Sequence, residues 1–173
     1  MSNSLKVFDN CSLIAVVDQN MGIGSNGDQL VYISNDLKHF KQLTSGCTVV
    51  MGRKTFAALP KGVLPNRRNI VLSRNKNSVF PNCETACSVE EVLEMIKSEN
   101  EAFIIGGGEI YRLFFPFVHR IYLTRINHSF ENVDTFFPNI DKNEWNTIIT
   151  EGVFIDEKSG FSYLFETLER KVI

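Results

Sequence analysis

Short runs of consecutive apolar and β-branched residues alternate along the chain with longer stretches whose apolar positions recur at helical spacing, which predicts an α/β fold. Residues 11–17 (CSLIAVV) read as a buried strand. The following segment, 18–32, carries Gly22, Gly24 and Gly27 and reads as a loop too long for a plain connector, the kind that is usually functional or mobile. Residues 34–44 (SNDLKHFKQLT) read as a helix. Ser34 or Asn35 is placed to accept a bond from an unpaired backbone N–H at its start, Leu37, Phe40, Lys41 and Thr44 share a core-facing side, and Gly46 stops it. Residues 47–51 form a second strand, and Gly52-Arg53-Lys54-Thr55 leads into a short helix ending near Pro60. Residues 68–73 form a third strand. The clearest amphipathic helix is 88–98, with Ser88 and Glu91 in the S-x-x-E capping pattern. Residues 102–105 form another buried strand, and after three glycines 109–115 makes a last helix before Pro116. Residues 119–126, 145–151 and 160–168 then alternate as strands without intervening helices, as antiparallel closure at one sheet edge requires.

A chain of 173 residues is of a size to fold around one core, so a single domain over 1–173 is expected. With 43% hydrophobic and 22% charged residues it falls in the ordinary globular range. The formal charge of −2 offers no positive field to a nucleic-acid backbone, which leaves a small molecule as the partner to seek. Cys11, Cys47, Cys83 and Cys87 lack C-x-x-C spacing and His39, His119 and His128 are scattered, so no metal site is expected. Cys11 and Cys47 lie in strand-like runs, where free thiols are usually buried. The first ten residues show neither a basic region nor an apolar stretch of a targeting signal, and no run approaches a membrane span, so the cytoplasm is the expected compartment.

Chemistry is expected at three strand-to-helix junctions, because ligands of open α/β sheets bind at the carboxyl ends of strands. Met51-Gly52-Arg53-Lys54-Thr55 places two cations and a hydroxyl at a turn, but it is no Walker A loop, since Cys47 stands where the first glycine is required. Leu72-Ser73-Arg74 ends a strand. Ile105-Gly106-Gly107-Gly108-Glu109 begins like a dinucleotide fingerprint, but Tyr111 stands where its last glycine belongs, so a Rossmann reading fails. Together the three suit a polyphosphate laid across several strand ends, with Arg53 and Arg74 as partners for a phosphate monoester. Asp36 is the remaining candidate: an acid beside apolar neighbours has its charged form disfavoured unless a donor-rich ligand pairs with it. A helix-start acid that merely favours the helix dipole is the plainer alternative.

These blocks, read in order, resemble the dihydrofolate reductase family. They are Leu13-Ile14-Ala15-Val16-Val17 with Met21-Gly22-Ile23-Gly24, Asp36-Leu37-x-x-Phe40-Lys41, Val50-Met51-Gly52-Arg53-Lys54-Thr55-Phe56, Leu64-Pro65-x-Arg67-x-Asn69-Ile70-Val71-Leu72-Ser73-Arg74, Ile104-Ile105-Gly106-Gly107-Gly108-x-Ile110-Tyr111, Ile121-Tyr122-Leu123-Thr124 and Asp134-Thr135-x-Phe137-Pro138. The resemblance implies one α/β domain with a mixed, mainly parallel central sheet, about four flanking helices and an antiparallel C-terminal hairpin. It implies a monomer that reduces 7,8-dihydrofolate with NADPH, without metal, by hydride transfer to pterin C6 and water-mediated protonation of N5. Asp36 matches the carboxylate that accepts from the pterin N3 and 2-amino group, backed by Thr124. Arg67 matches the arginine that takes the glutamate-tail carboxylate. Ile14, Val16, Leu37, Phe40, Leu59, Ile105 and Tyr111 match the remaining substrate positions. For the cofactor, Arg53, Lys54, Thr55, Ser73 and Arg74 match positions around the 2′-phosphate and pyrophosphate. Gly106, Gly107 and Gly108 match a turn with a cis Gly–Gly peptide, and Ala15, Ile23, Gly52, Leu72, Glu109 and Ile110 complete the implied cofactor set. The 18–32 loop would close over the ring pair.

The chain departs from the family pattern in three places. Leu30-Val31 stands where most members have Pro-Trp, Ser34 replaces a common proline, and Glu109 occupies a position where many bacterial members carry Arg. Val31 cannot donate a hydrogen bond, and the one indole of the chain, Trp145, lies far along the sequence. Two other readings fit the same motifs: an aminopyrimidine reductase of riboflavin synthesis, which has no need of Asp36 with Arg67, and a nucleotide-binding homologue that has lost turnover.

Overall fold

The run Cys11-Ser12-Leu13-Ile14-Ala15-Val16-Val17 carries one hydroxyl and no charge, so it suits a strand covered on both faces. The structure, a computed structural model describing residues 6–172, places it at the centre of the molecule. β1 (Phe8–Val17) begins three residues before the apolar run. The next elements are β2 (Gly22–Ser25), β3 (Asp28–Gln29), α1 (Ser34–Thr44), β4 (Thr48–Gly52), α2 (Arg53–Ala58), β5 (Arg68–Leu72), β6 (Glu84–Ala86) and α3 (Val89–Ile96). β7 (Ala102–Gly106), α4 (Gly108–Phe114), a 3-10 turn (Phe115–Phe117), β8 (Val118–Ile126), β9 (Thr135–Phe136), β10 (Trp145–Ile155) and β11 (Ser162–Arg170) complete the order.

Eight strands form the main sheet in the order β10-β11-β8-β1-β7-β4-β5-β6. From β8 to β6 they are parallel; β11 is antiparallel to β8 and pairs with β10 as the expected antiparallel hairpin. The chain leaves β1 toward β4, β5 and β6, returns to insert β7 between β1 and β4, and crosses to β8 on the far side of β1. That reversal opens a crevice at the carboxyl ends of the central strands, the usual ligand position of such sheets.

Alternation along the strands divides the core. Leu13, Ala15, Val50, Ile70 and Ile104 face one way, where they meet Val92, Leu93 and Ile96 of α3 and Phe114 of α4. Ile14, Val49, Met51, Val71 and Phe103 face the other, toward Phe40 and Leu43 of α1 and Phe56 of α2. A third cluster of Ile33, Ile126, Tyr163 and Phe165 joins the entry of α1 to the C-terminal strands.

The structure corrects several local expectations. The 18–32 segment is not a loop throughout, because β2 and β3 lie within it and β2 pairs with both β3 and β9 in a small sheet. A Cβ at Gly22 would lie 2.7 Å from Val133 Cγ1, so this approach admits only glycine. The start of α1 is not capped by Ser34 or Asn35: Ile33 is the cap residue, without a side-chain bond, and Asn35 Nδ2 instead donates to Tyr163 Oη at 2.9 Å. Cys47 precedes β4 and is half-buried rather than buried, whereas Cys11 is fully enclosed and burial, reinforced by Glu101, raises its thiol to about 12. The reading at α3 stands: Ser88 Oγ accepts from Glu91 N at 3.1 Å, while Glu91 Oε2 accepts from the N–H of Cys87 rather than of Ser88.

Phe114 is fully buried where α4 meets β1 and β7. Phe114→Ala is expected to cost about 3–5 kcal/mol of unfolding free energy. Urea denaturation checks this, and a loss below about 1 kcal/mol would contradict the assigned packing.

Candidate functional site

The crevice is a cleft of about 1690 Å³ that runs along the carboxyl ends of β1, β4, β5, β7 and β8. In size it exceeds a single small-molecule pocket, which is ordinarily about 300–1,000 Å³.

One end is apolar and centred on Asp36. The approach of α1 sets its position: Ile33 is almost wholly buried against Ile126, Tyr163 and Phe165, which brings the first turn of the helix down on the sheet. Asn35 then reaches Tyr163, and His39 stacks on Phe165 with ring centroids 3.9 Å apart. Between these two contacts Asp36 is 9% exposed, and its Oδ1 accepts from Thr124 Oγ1 at 2.5 Å. Phe165 and Thr124 are cross-strand partners on β11 and β8, so the stacking residue and the hydrogen-bonding residue belong to one rigid ladder. Burial raises the Asp36 carboxyl above the ordinary carboxylate range, and the Thr124 hydrogen bond opposes that rise.

Ile14, Val16, Leu37, Phe40, Leu59 and Ile105 line the cleft around this acid. Leu37 does not face the core, as its neighbours in sequence suggest; it is 48% exposed and presents its side chain to the open cleft. Tyr111 closes the floor, with its hydroxyl 2.7 Å from Ile14 O and 2.9 Å from Ile105 O, so that one phenol ties the ends of β1 and β7. Arg67 stands at the mouth. Its Nε donates to Pro65 O and its Nη1 to Thr44 Oγ1, which fixes the guanidinium about an axis and leaves its remaining N–H groups without an acidic partner among the described residues.

The other end is cationic. Arg53 and Lys54 are exposed at the turn after β4, Thr55 faces Gly107, and Ser73 is buried at the end of β5 with its Oγ accepting from Asn75 N. Arg74 pairs with Glu109 across the cleft. Ala15, Ile23, Gly52, Leu72, Gly107, Gly108 and Ile110 line the same space. Gly106 does not: it lies beneath the lining with Tyr111 against it, and the Gly106–Gly107 peptide is cis. A Cβ at Gly108 would stand 2.6 Å from Thr135 Cγ2, which places β9 directly against the start of α4.

The cleft also has walls that the motifs do not single out. Gln29, Leu30 and Val31 cover the apolar end, and Asn75, Ser78 and Cys87 extend the cationic one. The covering segment is held by Asp18, whose buried carboxylate accepts from the N–H groups of Asn20, Gly22 and Phe130. Tyr32 is half exposed and its hydroxyl is engaged by Asp28. No group of three or more His, Cys, Asp or Glu side chains is placed to hold a metal among the described residues.

Fold and cleft define a class: a single-domain α/β protein with a carboxylate-centred apolar site joined to a cationic groove at its strand ends. The family model described as dihydrofolate reductase matches residues 10–170. Dihydrofolate reductase of Staphylococcus haemolyticus is 39% identical over 163 residues, covering 94% of this chain and 97% of that protein. The Bacillus subtilis dihydrofolate reductase is 39% identical over 160 residues, 92% of this chain and 94% of that protein. A solved dihydrofolate reductase from Enterococcus faecalis, complexed with NADP(H) and RAB-propyl, matches with a TM-score of 0.86 at 34% identity over 94% of this chain and 96% of that one. The chain belongs to the dihydrofolate reductase family.

Because the Thr124 hydroxyl favours the ionised form of Asp36, Thr124→Val is expected to move the Asp36 titration to higher pH. Carbon-13 NMR of the side-chain carboxyls checks this; an unchanged or lower midpoint would remove Thr124 as the group that holds the charge.

Proposed function

We propose that the protein reduces 7,8-dihydrofolate to 5,6,7,8-tetrahydrofolate with NADPH, adding hydride to C6 and a proton to N5 of the pterin. The observation that carries the reading is Asp36, an acid enclosed by hydrocarbon whose Oδ1 is met by one hydroxyl and whose Oδ2 has no partner among the described residues. A charge so placed calls for a ligand with adjacent N–H donors, and the pterin N3 and 2-amino group are such a pair. Family membership and the NADP(H) complex of the Enterococcus faecalis relative support the same substrate and cofactor.

In this reading Ile14, Val16, Leu37, Phe40, Leu59 and Ile105 enclose the pterin and aminobenzoyl rings, and Arg67 takes a carboxylate of the glutamate tail. NADPH fits the second half of the cleft by its chemistry: Arg53, Lys54 and Arg74 oppose its phosphates, with the hydroxyls of Thr55 and Ser73 between them. When bound, it supplies the hydride. The chain orients the acceptor: Asp36 accepts from the 2-amino and N3 protons, which pushes electron density into the ring and makes N5 more basic, and Thr124 fixes the carboxylate in one rotamer. The β2–β3 segment, with apolar Leu30 and Val31, covers the ring end and keeps bulk water out. A single water delivers the proton to N5, since the other buried acid, Asp18, is committed to three backbone N–H groups.

The cleft is built within one chain, which supports a monomer as the working unit over a domain spanning 1–173. The net charge of −2 supports a small-molecule rather than a nucleic-acid partner. No helix among the described residues is long and apolar enough to cross a membrane, and a cytoplasmic setting is part of this proposal.

Asp36→Asn is expected to fold and to lower turnover at neutral pH by about 100-fold or more, the usual scale for removing an essential acid–base or charged group. Steady-state loss of NADPH with dihydrofolate measures it. A wild type without turnover, or a variant at near wild-type rate, would overturn the assignment.

A further inference from the structure

The ion pair between Arg74 and Glu109 joins two parts of the chain that the strand order holds apart. Arg74 lies just beyond β5, Glu109 lies in α4 just beyond β7, and β4 runs between those two strands. A contact between the two side chains therefore passes over the end of β4, where Gly52, Arg53 and Lys54 line the cleft. Both side chains are accessible to an incoming ligand, at 90% exposure for Arg74 and 57% for Glu109. Arg53, Lys54 and Arg112 have no acidic partner among the described residues, so of the four cations that line this end only Arg74 is already paired.

We propose that Glu109 sets cofactor choice: its carboxylate competes with the 2′-phosphate of NADPH for the Arg74 guanidinium, and so narrows the preference for NADPH over NADH. The inference rests on the dihydrofolate reductase reading of the cleft, which places Arg74 among the phosphate partners. A guanidinium can serve a carboxylate or a phosphate monoester with the same forked N–H groups, but its best donor geometry serves one at a time. Binding of the 2′-phosphate must displace Glu109 and leave a carboxylate beside a dianion. NADH carries only a neutral 2′-hydroxyl at that position and leaves the pair intact. The effect is moderate because the pair is exposed to solvent and screened.

Calorimetric binding of NADPH and of NADH to the wild type and to Glu109→Gln, Arg74→Gln, the double variant and Glu90→Gln tests the proposal. Glu90 lines the same end of the cleft without pairing with Arg74, and serves as the control for a general loss of negative charge. Glu109→Gln is expected to tighten NADPH about two- to fivefold, the range an exposed ion pair can supply, with NADH unchanged. Arg74→Gln is expected to weaken NADPH and to abolish the effect of the substitution at position 109, as for residues that act through one contact. Equal shifts for both cofactors, no shift, or the same gain from Glu90→Gln would overturn the role of Glu109. A wild type that binds neither cofactor would instead overturn the functional reading beneath it.

Discussion

Everything distinctive about the cleft depends on one buried charge held by one hydroxyl. Asp36 lies in the first turn of α1, yet it faces the sheet rather than water, and Thr124 on β8 is its only partner among the described residues. A carboxylate in such a place disfavours the folded state unless it is neutral or paired. The surrounding structure is arranged to keep it there: Ile33 buries the entry of the helix, Asn35 and His39 dock it on Tyr163 and Phe165, and Phe165 is laddered to Thr124 itself. The molecule therefore carries an electrostatic cost in its empty form, and in the proposed function a donor-rich heterocycle removes it, so that substrate affinity follows from that difference.

The second half of the cleft works by the opposite arrangement. Its cations lie at the surface, where hydration makes them inexpensive and where their attraction for an anionic ligand is moderate. One acid, Glu109, is set among them and paired with Arg74. The apolar end thus spends stability on specificity, while the cationic end is tuned by which charges face one another across the strand ends.

Legibility in the sequence followed period and length. Residues 34–44 coincide with α1, and Ser88 marks the start of α3, because helical spacing and a capping pair are local signals. β3, β6 and β9 are two or three residues long and cannot show a period, so the small sheet that β3 and β9 form with β2 leaves no signal in the sequence. Residue type misleads at Leu37, where a leucine serves an open cleft rather than the core, while Gly106, at the expected cis Gly–Gly peptide, is set back from the cleft with Tyr111 against it. The motif blocks brought the candidate residues to one cleft with that single exception. What they could not carry is the pairing of Arg74 with Glu109, which are 35 residues apart and meet only through the order of β7, β4 and β5.

The central claim is that Asp36 is maintained for binding at a cost to the fold, and the pH dependence of stability tests it most directly. A carboxyl whose pKa is raised on folding contributes stability below its unfolded value and loses that contribution as pH rises through the folded one. Unfolding free energies of the wild type and Asp36→Asn, measured without ligands from acid to neutral pH, should therefore converge at low pH and separate as pH rises, with the variant the more stable at neutrality. A wild type more stable than Asp36→Asn at neutral pH, by a margin that shrinks on acidification, would contradict the account.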